Sequence, residues 1–159
     1  MGGDKVIRGE WTVFFFIIII FFISLSPLSP HLLADEVTVK ALQGTWKGAR
    51  FTEGNGDKPA GGVKVEFTFK DGALVCRKES GAPVGEATFT LSADGKTIDC
   101  TGTSAGYRGK SYLGILKIDG DTLTWCTTGG AGKDQKRPGG YTADPGQAHY
   151  LIVLKKQKP

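Results

Sequence analysis

The chain has 159 residues, with 20 Lys+Arg against 16 Asp+Glu for a net charge of +4, and only three cysteines. That length leaves room for one domain behind any leader. The cationic excess is small and scattered, which suits a solvated surface and argues against a nucleic-acid footprint.

The first segment is unlike the rest. Lys5 and Arg8 precede a run from Trp11 to Ile23 that is apolar except for Thr12. A charged start followed by an apolar core of this length is the pattern of an export signal, here expected as an apolar helix. A spanning helix needs ~20 apolar residues, whereas this run gives way to Ser24-Leu25-Ser26-Pro27, with Pro30 beyond. Proline breaks the helical ladder, so cleavage after Leu32-Leu33-Ala34 is preferred over retention. The alternative is an anchor over residues 11–25, with contact to the membrane through that segment alone. Asp4 and Glu10 offset the two cations, so the charge behind residue 34 is unchanged at +4. No cysteine lies near the cut, which disfavours a lipid anchor. The expected organisation is a leader over 1–34 and one domain over 35–159, exported to the periplasm or the exterior.

Residues 36–42 suit a short helical turn. After it, helix signals vanish and apolar residues alternate with polar ones at a period of two. In Val63-Lys64-Val65-Glu66-Phe67-Thr68-Phe69-Lys70 the odd positions form an apolar face, as expected of a half-buried strand. Residues 86–91 and 121–125 repeat the pattern. Asp71-Gly72, Asp94-Gly95 and Asp119-Gly120 lie between such runs, and Asp-Gly tolerates the positive φ of tight hairpins. The strands so delimited span 44–52, 62–70, 73–79, 84–92, 96–101, 111–119, 121–128 and 147–156. Eight strands with mostly short connections make an antiparallel meander. Closure into an up-and-down barrel removes its edges, and is preferred over a two-sheet sandwich. Such a barrel is either filled by side chains or holds one small ligand. The longest connection, from Gly129 to Gly146, is rich in Gly and Pro and leans towards a mobile loop.

Cys76, Cys100 and Cys126 match no metal spacing. An exported protein permits one disulfide among them, and buried free thiols are an equal alternative.

Gly44-Thr45-Trp46 at the head of the first strand resembles the Gly-x-Trp signature of lipocalin-like barrels. A larger set runs through Leu42-Gln43-Gly44-Thr45-Trp46-Lys47, Lys96-Thr97-Ile98-Asp99, the stretch from Gly114 to Leu123 and Leu151-Ile152-Val153-Leu154-Lys155. With Cys126, it is similar to an uncharacterised lipocalin-like domain family abundant in planctomycetes, over nearly all of residues 41–156. The resemblance implies a lipocalin-like barrel in an exported, cell-envelope context. It also implies that Trp46 closes one barrel end against a cation of the last strand, Lys155 or Lys156. It brings no activity and no catalytic residues.

The residues themselves offer little chemistry. His149 is the one histidine behind the leader and lacks partners for a triad. Glu66 and Glu86 alternate with core positions and belong to a solvated face. The stretch from Gly129 to Lys133 fails as a phosphate loop, because Asp134 stands where Ser or Thr should be. No catalytic residue, metal site or cofactor is expected. The aromatics Trp46, Phe67, Phe69, Phe89 and Trp125 face inward as ordinary core, or line a cavity at one barrel end. In the second case Arg77 and Arg108 are the candidate polar anchors at its mouth. The expected function is therefore binding of a small apolar or amphipathic ligand. The alternative is a filled structural domain contacting an envelope protein, and an enzyme ranks last.

Overall fold

The period-two runs and the Asp-Gly punctuation between them produce eight long strands in the computed structural model, which describes residues 37–130 and 134–158. The leader expected over 1–34, with His31 in it, and Lys133 in the long connection lie outside the described residues. Among the described residues no helix is long and apolar enough to cross a membrane.

A single helical turn, α1 (Val39–Leu42), leads in; Thr38 caps it by accepting a hydrogen bond from the Ala41 amide at 3.1 Å. The strands that follow are β1 (Gly44–Phe51), β2 (Glu53–Asn55), β3 (Pro59–Ala60), β4 (Val63–Lys70), β5 (Ala73–Lys78), β6 (Pro83–Leu91), β7 (Thr97–Gly102), β8 (Ser111–Asp119) and β9 (Thr122–Thr128). After the long connection come β10 (Thr142–Ala143), a 3₁₀ turn (Pro145–Gln147) and β11 (His149–Lys156). The eight long strands pair antiparallel in the order β1-β4-β5-β6-β7-β8-β9-β11, and β11 returns to β1 to close a barrel. The closing register sets Trp46 opposite Lys156 and Phe51 opposite Leu151. The three short strands form a separate sheet in the order β10-β2-β3.

The meander puts alternate connections at opposite ends. Three tight turns lie at one end, between β4 and β5, β6 and β7, and β8 and β9. In the first of them Asp71 and Gly72 both have positive φ, 49° and 82°, which suits the right-handed twist of the flanking strands. The long connections, from β1 to β4, β7 to β8 and β9 to β11, gather at the other end.

The end with the tight turns is plugged. Trp46 is fully buried, and its Nε1 donates to the Leu42 carbonyl at 2.8 Å. The Lys156 ammonium lies 5.1 Å from the centre of the Trp46 ring and donates to the Ala41 carbonyl at 2.8 Å. Of the two candidate lysines, Lys156 therefore covers the tryptophan, and Lys155 turns outward to Asp121 at 2.9 Å. Phe69 and Phe89 fill the space above, edge to face with centroids 5.4 Å apart.

A second apolar cluster lies outside the barrel wall. Cys126, Leu151 and Ala143 are buried there against Phe51, Ile115, Tyr141 and Val153. Consequently β9 and β11 are buried on both faces, and their alternation is lost over Cys126-Thr127-Thr128 and Leu151-Ile152. The cover is the long connection. Far from hanging free, its described part is strapped down. Arg137 donates to the Gly114 carbonyl at 2.7 Å and pairs with Asp99 at 2.6 Å. Lys117 sits 4.9 Å over the Tyr141 ring, and the Cys126 thiol donates to the Thr142 carbonyl at 3.3 Å. The lean towards mobility drawn from Gly and Pro content is corrected by these anchors, which come from distant strands.

Candidate functional site

The inward face of each strand is set by parity, so the same alternation that builds the core decides what meets the open end. There the side chains do not fill the barrel. They leave a cavity of ≈ 310 Å³ with a mainly apolar lining, just above the ~300 Å³ at which ligand pockets begin.

Phe67, Leu74, Trp125 and Ile152 line it, along with the thiol-bearing Cys76 and Cys100. Phe67 and Trp125 meet edge to face, with centroids 5.6 Å apart. They continue into Phe69, 6.4 Å from each of them, so the lining is backed by packed aromatics. At the mouth stand Tyr107, Tyr112 and Tyr150. Two of these are seated where glycines leave room. A Cβ on Gly102 would collide with Tyr107, and one on Gly130 with the Tyr112 ring.

Two charged residues line the cavity, Arg50 on β1 and Glu86 on β6, and Glu86 is exposed at the rim. Arg50 shares the inward parity of Trp46 on β1, and its guanidinium lies 4.7 Å from the centre of the Tyr150 ring. Its Nε is shielded from solvent and has no hydrogen-bond partner in the protein; the same holds for Trp125 Nε1.

The thiols here are poor nucleophiles. Burial pushes Cys76 up to about 11 against the opposing charge of Arg50, and pushes Cys100 up to about 12. Burial likewise raises the Tyr112 phenol. These groups stay protonated at neutral pH and act as weak donors. Cys76, Cys100 and Cys126 are all free, so the barrel carries no bridge among them.

The residues expected at a site separate into three groups. Phe67 and Trp125 line the cavity. Trp46, Phe69 and Phe89 are buried in the packed core and do not line it. Arg77 and Arg108 do not reach it. Arg77 has the outward parity of β5 and donates to the Gly81 carbonyl at 3.2 Å, while Arg108 is exposed on the β7–β8 connection. The anchor that parity does deliver is Arg50, overlooked because a cation on an inward position contradicts an apolar pattern. Counting by twos from Trp46 would have found it.

Glu66, Glu86 and His149 are dispersed. Glu66 pairs with Lys47 at 3.0 Å on the outer wall, where Arg77 is its cross-strand neighbour. Glu86 is exposed at the rim. His149 is buried under the strap, its Nε2 3.0 Å from the Lys136 carbonyl. It is a structural histidine. Among the described residues no three His, Cys, Asp or Glu side chains gather as a metal site.

Fold and site together define a closed eight-stranded β-barrel, plugged at one end and hollow at the other. Compared with known proteins, the chain matches no family model, no curated protein and no solved structure.

Proposed function

We propose that the chain is an exported, lipocalin-like binding module that takes one small apolar or amphipathic molecule into the open end of its barrel. The observation that carries this reading is the cavity itself. A purely structural domain gains from filling its interior, since unfilled apolar volume costs stability. Here ≈ 310 Å³ is left open at one end of a barrel whose other end is tightly packed. The lining has the composition of a ligand pocket, apolar walls with few polar groups. The rival reading, a filled domain that acts through its outer surface, calls for no such space.

Export is supported by Lys5, Arg8, the apolar run and the early Pro27. N-terminal sequencing of the protein from its own host should find Asp35 first, in the fraction outside the cytoplasm. Recovery of intact Met1 in the cytosol contradicts export.

Native mass spectrometry of the same material tests binding. The reading expects an added mass that is lost on denaturation. A bare polypeptide mass, with no uptake of added apolar compounds, contradicts it.

A further inference from the structure

Six cations outside the cavity have oxygen partners in the protein. Lys47, Lys64, Arg137 and Lys155 pair with carboxylates, while Lys156 and Arg77 donate to backbone carbonyls. Arg50 is different. It lines the cavity, no described carboxylate stands within ion-pair distance of it, and its Nε has neither solvent nor a protein acceptor. The Tyr150 ring lies 4.7 Å from the guanidinium carbon, a cation–π contact that supplies no oxygen acceptor for Nε. A donor left so is costly, and more so when charged. The cavity that Arg50 lines is where an acceptor for it can be placed.

We propose that the ligand is a small carboxylic acid whose carboxylate pairs with Arg50 beside Tyr150, while its apolar part lies against Phe67, Leu74 and Trp125. The inference rests on the binding-module reading and names its ligand class. A planar guanidinium offers the two parallel N–H donors that a carboxylate accepts. The size of the cavity, near the lower bound of ligand pockets, sets a chain of about ten carbons or one aromatic ring in place of a long acyl chain. The thiols of Cys76 and Cys100 stay neutral, and the lining carboxylate, Glu86, has the outward parity of β6 and is exposed at the rim.

Calorimetric titration of the full chain with decanoate and with decanol, at neutral pH, separates this inference from the one beneath it. The wild-type protein should prefer decanoate by about tenfold or more, and Arg50→Met should weaken decanoate by about 10- to 100-fold while leaving decanol within about threefold. Equal wild-type affinities for the two probes, or decanoate binding unaffected by Arg50→Met, overturn the acid assignment and leave the binding module standing. Binding of neither probe overturns both. Should Arg50→Met fail to fold, the wild-type preference still decides, since it needs no variant.

Discussion

At the scale of single residues, the barrel is governed by which side chains share a level inside it. Trp125 shows this most sharply. Its indole Nε1 occupies the place where a Cβ on Gly114 would stand, so the ring lies against β8 only because position 114 has no side chain. Gly114→Ala should force the indole off its seat and lower stability by about 1–3 kcal/mol, the usual range for overpacking, read as a shift in urea midpoint at constant slope. An unchanged midpoint would mean that Trp125 is not held there. Trp46→Ala at the plugged end should cost more, about 3–5 kcal/mol for a large buried aromatic. Sequence parity already placed Trp46, Phe67, Phe69, Phe89 and Trp125 inside, and all five are buried. It did not say which of them meet the cavity, because height along the barrel depends on strand stagger, and alternation carries no stagger. Arg77 and Arg108 fall short for other reasons, outward parity on β5 and a place on a connection, while the inward parity of Arg50 is readable from Trp46.

At the scale of elements, every long strand was legible to within two residues, since each carries its own period and its own turn signal. The expected strand 62–70, for example, is Val63–Lys70 in the structure. What local pattern did not encode are β2, β3 and β10, two or three residues each, which exist only through pairing with one another. The strap is of the same kind. Its Gly- and Pro-rich chain is held by Arg137, Tyr141 and His149, whose partners lie on β7, on β8 and within the strap itself. One trace of it was readable: Tyr150 to Leu154 is an uninterrupted apolar run, the mark of a strand buried on both faces. Arg137→Ala removes the Asp99 ion pair and the bond to Gly114. It should speed amide exchange over residues 134–148 and expose Cys126 to alkylation, with the barrel strands keeping their protection. Equal Cys126 labelling in variant and wild type would show that Arg137 does not hold the strap.

At the scale of the whole molecule, buried thiols tie stability to alkaline pH. Cys100 ionises at about 12 in the folded barrel against 9.0 for an unperturbed thiol, so the folded form keeps a proton that the unfolded chain has lost. The stabilisation is complete below about pH 9 and declines as pH climbs towards 12, by about 1.4 kcal/mol per pH unit for this group. Cys76, raised to about 11, and the half-buried phenols of Tyr112 and Tyr141 act in the same direction. Urea unfolding followed from neutral pH upward should steepen its decline past pH 9, and Cys100→Ala should flatten part of that decline; identical slopes would remove the thiol from the explanation. The larger claim is that the open end of the barrel receives a ligand, and the two described tryptophans give it an internal control. Trp125 lines the cavity and its Nε1–H, set against Gly114, has no partner in the protein, whereas Trp46 Nε1–H is bonded to Leu42 at the plugged end. The direct measurement is a ¹H–¹⁵N spectrum of the indole groups during titration with decanol, whose neutrality keeps the result independent of Arg50. A saturable shift of the Trp125 signal with Trp46 unmoved is the predicted result, and a Trp125 signal that stays fixed throughout would contradict it.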